Sequence, residues 1–117
     1  MNNVMADEGS VSVCVDPGAC RFRSRITAHY DGNGVRLEIT SDCPHVKQLA
    51  KRITDLELKP FEALKMPYSE NMVFIESGKF LKHATCPLPL AMLKCMEAAT
   101  GLAVKKDISI KFERDPC

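Results

Sequence analysis

Near the start of the chain, hydrophobic and polar residues alternate one for one. Val11, Val13 and Val15 alternate with Ser12 and Cys14, which predicts a short first strand. Asp16-Pro17-Gly18 marks a turn. From Arg21 to Tyr30 the alternation is regular: Phe22, Ile26, Ala28 and Tyr30 share one face, with Ser24 as its polar exception. Arg21, Arg23, Arg25, Thr27 and His29 take the other face, so this strand has one buried and one wet side. Asp31-Gly32-Asn33-Gly34 predicts a hairpin turn, and Val35, Leu37 and Ile39 mark the returning strand. Pairing Tyr30 with Val35 across that turn puts Phe22 opposite Cys43. Cys20 and Cys43 then lie at the same end of the hairpin.

Beyond Cys43 the period lengthens. Val46, Leu49, Ala50, Ile53 and Leu56 recur at helical spacing, with Asp42 or Cys43 as the cap and Pro44 in the first turn. Pro60 opens a short second helix through Phe61 and Leu64, closed by Met66-Pro67. Tyr68 to Ala84 predicts short helical pieces and loop, interrupted at Gly78. A last helix starts at Pro87, with Leu88, Ala91, Met92, Cys95, Ala99 and Leu102 as its apolar stripe and Gly101 as its C-terminal cap. Ile108, Ile110 and Phe112 predict a final strand. Strands grouped before helices predict an α+β domain: a small, mostly antiparallel sheet of about three to four strands, with helices on one face. The expected organisation is a flexible N-terminus over 1–10, one domain over 11–113 and a tail over 114–117.

Length and charge narrow the function. The chain has 117 residues, enough for one core without a staple. A net charge of +1 with interspersed signs gives no case for nucleic acid or an acidic membrane, and leaves a protein partner open. No apolar run reaches the roughly 18 residues that span a bilayer, and the first residues lack the marks of a signal peptide. The expected location is therefore cytoplasmic, where the six cysteines stay reduced. No CxxC pair, Gly-rich phosphate loop or hydrolase triad is present.

The candidate chemistry lies in cysteines. Cys43-Pro44 and Cys86-Pro87 each stand at the mouth of a predicted helix, where free N–H groups and the helix dipole lower a thiol pKa. Three thiolates from Cys20, Cys43 and Cys86, completed by His83 or Asp42, would suit zinc or an iron–sulfur cluster. His45 is a further rival, and Asp42 is equally well read as a helix cap. Two other readings stand beside a metal centre. One is a thiol-based sulfur-transfer or redox protein using a helix-mouth cysteine. The other is an interaction domain whose cysteines are small core residues. Cys95 falls in an apolar stripe and reads as core. The Arg21, Arg23 and Arg25 row reads as a solvated face balanced by Glu38, and His29 as solvated.

In "PGACRF", "SDCPHVKQLA" and "HATCPLPLAMLKC" the arrangement of cysteines resembles the NifU N-terminal and IscU-type scaffolds for iron–sulfur cluster assembly. The likeness covers roughly residues 11 to 101 in element order. It implies the scaffold fold, Cys20, Cys43 and Cys86 as ligands, and a metal-binding or iron–sulfur-associated accessory role without catalysis. The chain departs from those scaffolds in three places. Arg21-Phe22 follows Cys20 where they have Gly-Asp, and His83 stands three residues before Cys86 instead of next to it. "LKHA" fills the place of their Leu-Pro-Pro-Val-Lys stretch. The departures weigh toward a resident zinc or cluster over one built and handed on. The chain as a whole also resembles a group of uncharacterised small domains from anaerobic prokaryotes.

Overall fold

The structure, a computed structural model, describes residues 9–114. The expectation of a flexible start therefore concerns mostly residues outside the described ones, as does Cys117. Three strands form an antiparallel sheet in the order β1 (Ser10–Val15), β2 (Ser24–Tyr30), β3 (Val35–Ser41). The predicted register holds: Tyr30 pairs with Val35 and the ladder runs to Ser24 opposite Ser41. The turn is fixed by Asp31, whose carboxylate accepts from the N–H groups of Asn33 and Gly34 at 2.8 and 2.9 Å. Those two bonds hold the Asp31 carboxyl below its ordinary value. Gly32 supplies the left-handed φ of 93° that the turn needs.

β2 begins at Ser24, later than the alternation predicted. Asp16 accepts from the Gly18 N–H at 3.0 Å, Arg21 N–H donates to the Gly18 carbonyl at 3.0 Å, and Arg21 takes a left-handed φ of 67°. That backbone geometry is incompatible with a strand, so residues 16–23 form a loop. Phe22 is accordingly 43% exposed and not a core residue.

Four α-helices follow: α1 (Pro44–Thr54), α2 (Pro60–Ala63), α3 (Met72–Gly78) and α4 (Leu88–Thr100). A single 3-10 turn, Tyr68–Glu70, precedes α3. The sheet presents one row to them, with Ile26, Ala28, Val35 and Leu37 fully buried. α1 covers β3 through Val46, Leu49 and Ile53. α4 lies over β1 and β2 through Leu88, Met92, Cys95, Met96 and Ala99. Burying these side chains is the main stabilising term, about 1.5–3 kcal/mol for each large one. The helix ends where Gly101 adopts φ 77°, as the sequence predicts.

Two further features depart from the sequence expectation. The strand over Ile108–Phe112 is absent: residues 104–113 carry no regular structure, and Ile110 and Phe112 are 90% and 92% exposed. Alternation alone does not make a strand; it needs a neighbouring edge within reach. His29 is also more than solvated, since its ring bonds Ser10 Oγ and Glu38 at 2.9 Å each. Glu38 therefore pairs with His29, while Arg23 pairs with Asp16.

Candidate metal centre

At one end of the sheet, three pieces of chain meet around a small cleft. It is lined by Val15, Pro17, Cys20, Phe22 and Ser24 from the β1–β2 loop, Cys43 and Val46 from the start of α1, and Cys86, Pro87 and Leu88 from the start of α4. Each piece is there for a local reason. The hairpin register carries Ser41 and the following Cys43 back beside Ser24. Pro44 and Pro87 suit helix starts, which sets Cys43 and Cys86 at the two helix mouths. The sharp loop after Val15 brings Cys20 over the same opening.

The cleft holds about 30 Å³. Organic ligands need pockets of roughly 300–1,000 Å³, so this one suits a single ion or water. A wider hollow of about 450 Å³ lies against the end of α1, lined by Ala50, Lys51, Thr54 and Asp55. All its walls come from one helix and its cap, so nothing encloses a ligand there.

All described cysteines are free. Cys20 is exposed, and Cys43 and Cys86 are half-buried. Burial raises the Cys86 thiol pKa, a bond from the Leu88 N–H opposes that, and the nearby Cys20 and Cys43 thiols raise it further. The lowered pKa expected at this helix mouth is thus overturned: one dipolar N–H is outweighed by desolvation and two like-charged neighbours. Cys20 and Cys43 therefore lie within electrostatic reach of the Cys86 thiol. The three thiols do not converge: among the described residues, no group of three or more His, Cys, Asp or Glu side chains is arranged to hold a metal. Cys20 sits on a loop tied at the surface by an exposed Arg23–Asp16 pair at 3.2 Å.

The other named candidates lie apart. Asp42 and His83 are exposed and His45 is half-buried, and none of them lines the cleft. His83 instead lends its carbonyl to the Cys86 N–H at 3.2 Å. Cys43 caps α1 by position without a side-chain cap bond, and its N–H donates to Ser41 Oγ at 3.1 Å. Cys14 points from the outer sheet face, paired in register with Arg25. Cys95 is fully buried, with its thiol directed at the carbonyls of Val11 and Ile26 at 3.2 and 3.7 Å. Ser24 was not among the sequence candidates, yet its hydroxyl-bearing side chain lines the cleft and is buried. Its signal in the sequence was the lone polar residue on an apolar face.

The profile of a family described as "Family of unknown function (DUF6951)" matches residues 11–112, nearly the whole domain. The chain belongs to DUF6951. No curated protein and no solved structure matches it. The DUF6951 match spans all three cleft cysteines and also the exposed segment that follows α4.

Proposed function

We propose that this domain binds one thiophilic metal ion, zinc foremost, through Cys20, Cys43 and Cys86, and serves as a metal-binding accessory protein without catalysis of its own. The observation that carries this reading is that cysteines from three distant chain segments line one ion-sized cleft. Burial and the two neighbouring thiols raise the cost of ionising Cys86, and a soft cation would offset that cost by compensating the charge directly. Binding would draw the Cys20 loop inward and release protons from the thiols. The cleft residues supply no imidazole or carboxylate, so the fourth position falls to Ser24, to water or to a protein partner. A reducing compartment, the cytoplasm, suits three free thiols. The cleft volume favours a single ion over an iron–sulfur cluster. The scaffold-like placement of the cysteines, before a hairpin, at its exit and at the mouth of the long helix, supports the accessory role.

The test is cobalt and zinc titration of the reduced protein, read by thiolate-to-cobalt charge-transfer absorption and by metal analysis. About one metal per chain is expected, as in a mononuclear site. Cys20→Ser, Cys43→Ser and Cys86→Ser should each weaken binding to a similar degree, while Cys14→Ser, on the outer sheet face, should not. Retention of full loading by any one of the three cleft variants would refute the shared site.

A further inference from the structure

The segment after α4 carries a strand pattern without a strand. Ile108, Ile110 and Phe112 alternate with Ser109 and Lys111, and all three apolar side chains are more than half exposed. The family match includes them, so they belong to the domain and not to an appended tail. Elsewhere in the fold, an edge is waiting. At the far side of the sheet, Val35 and Leu58 exchange backbone bonds of 2.7 and 2.8 Å, which covers the start of the β3 edge. Among the described residues nothing pairs with the outer edge of β1. The Tyr30 N–H to Gly9 carbonyl bond sets the alternation of the ladder, so the main-chain groups of Ser12 and Cys14 face away from β2. On the inner face of the same strand, Val11, Val13 and Val15 are only partly buried. An open row of backbone groups and a half-covered apolar row therefore lie side by side, which is what an added strand with alternate apolar residues fills.

We infer that residues 108–112 of one copy add to the β1 edge of a second copy, giving a two-fold dimer by reciprocal strand exchange. The direction of α4 argues for a second copy over the same chain. Leu88 sits beside Val15 at the cleft and Cys95 beside Val11, so α4 runs antiparallel to β1. It delivers the segment at the Ser10 end, from which the chain's own tail would return parallel to β1. An exchanged tail is free to take the antiparallel pairing, which is slightly more stable per residue. A single chain leaves the segment unpaired, and with a net charge of +1 there is little self-repulsion to keep two copies apart.

The test is light-scattering mass across a dilution series, with a chelator present so that metal plays no part. The full chain should have the mass of two chains. Hydrogen exchange should protect the amides of 108–112 in that species. The double variant Ile110→Lys with Phe112→Lys, and separately Ile110→Pro, should halve the mass while circular dichroism stays unchanged, because these side chains touch no core. A one-chain mass for the unaltered protein overturns the exchange, whether or not its tail amides are protected. So does a two-chain mass that survives both variants.

Discussion

Single residues in this fold are governed more by their immediate surroundings than by the element that carries them. Cys86 shows it best. Its place at the start of a helix argues for an acidic thiol, yet burial and two neighbouring thiols push its pKa up. In metal-free protein at neutral pH, Cys86 should therefore alkylate more slowly than the exposed Cys20, and its rate should keep rising with pH beyond the ordinary thiol range. Mass spectrometry after timed iodoacetamide pulses would measure this; a Cys86 that reacts first would show that its thiolate is stabilised after all. The linked stability follows the same sign. A raised folded-state pKa leaves the thiol's contribution intact below the ordinary value and removes it as pH rises through the higher one. Asn71 is the other telling residue. Buried, it caps α3 by accepting from the Val73 and Phe74 N–H groups, and it donates to the Ala63 and Lys65 carbonyls at 2.7 and 2.9 Å. One amide thus ties the end of α2 to the start of α3, a role invisible in a stretch whose apolar spacing is broken.

Elements were legible where a period persists. The hairpin register, α1 and α4 could be read because each buries one continuous face, and Gly32 and Gly101 mark the hairpin turn and the end of α4. The loop of 16–23 could not, because an arginine in a left-handed conformation leaves no trace in hydrophobic alternation. The final strand failed for the opposite reason: its alternation is present, but among the described residues no strand pairs with it. Of the site, the register carries Cys43 back beside Ser24 but stops there, short of the expected pairing of Phe22 with Cys43; the loop of 16–23 places Cys20, and the arrival of Cys86 depends on how α4 crosses the sheet, which no local pattern encodes. Packing between elements adds a pH-dependent contact. Glu76 of α3, buried, accepts from Arg52 of α1 at 3.0 Å and from Lys79 at 3.1 Å. The Arg52 bond lowers its pKa against the opposing effect of burial. This contribution is present above the ordinary glutamate range and lost as pH falls through the lower folded value. Glu76→Gln should accordingly lower the melting temperature at neutral pH, with the gap to the unaltered protein closing in acid. A gap that stays constant across the pH range would mean that the ion pair contributes nothing.

At the scale of the molecule, the described residues make one α+β unit whose helices cover a single face of a three-stranded sheet. No helix among them is long and apolar enough to cross a membrane. The candidate centre draws on residues from Val15 to Leu88, so an ion held there would brace the β1–β2 loop, α1 and α4 against one another. An ion that binds only the folded state stabilises it by mass action, about 2.7 kcal/mol when free metal exceeds the dissociation constant a hundredfold. Zinc should raise the melting temperature of the reduced protein by several degrees, and Cys43→Ser should abolish the rise. Calorimetry with and without zinc would decide it, and an equal rise in the variant would assign the effect to adventitious binding.

The spread of the cleft along the chain also sets an order of events. During synthesis the β1–β2 loop with Cys20 and the hairpin that leads into Cys43 emerge long before Cys86 leaves the ribosome. Until then the chain carries only two of the thiols that line the cleft. Docking of α4 brings the third, so a chain cut short before its last helix lacks Cys86 at the cleft. Were the proposed ion bound there, its loading would discriminate finished protein from fragments.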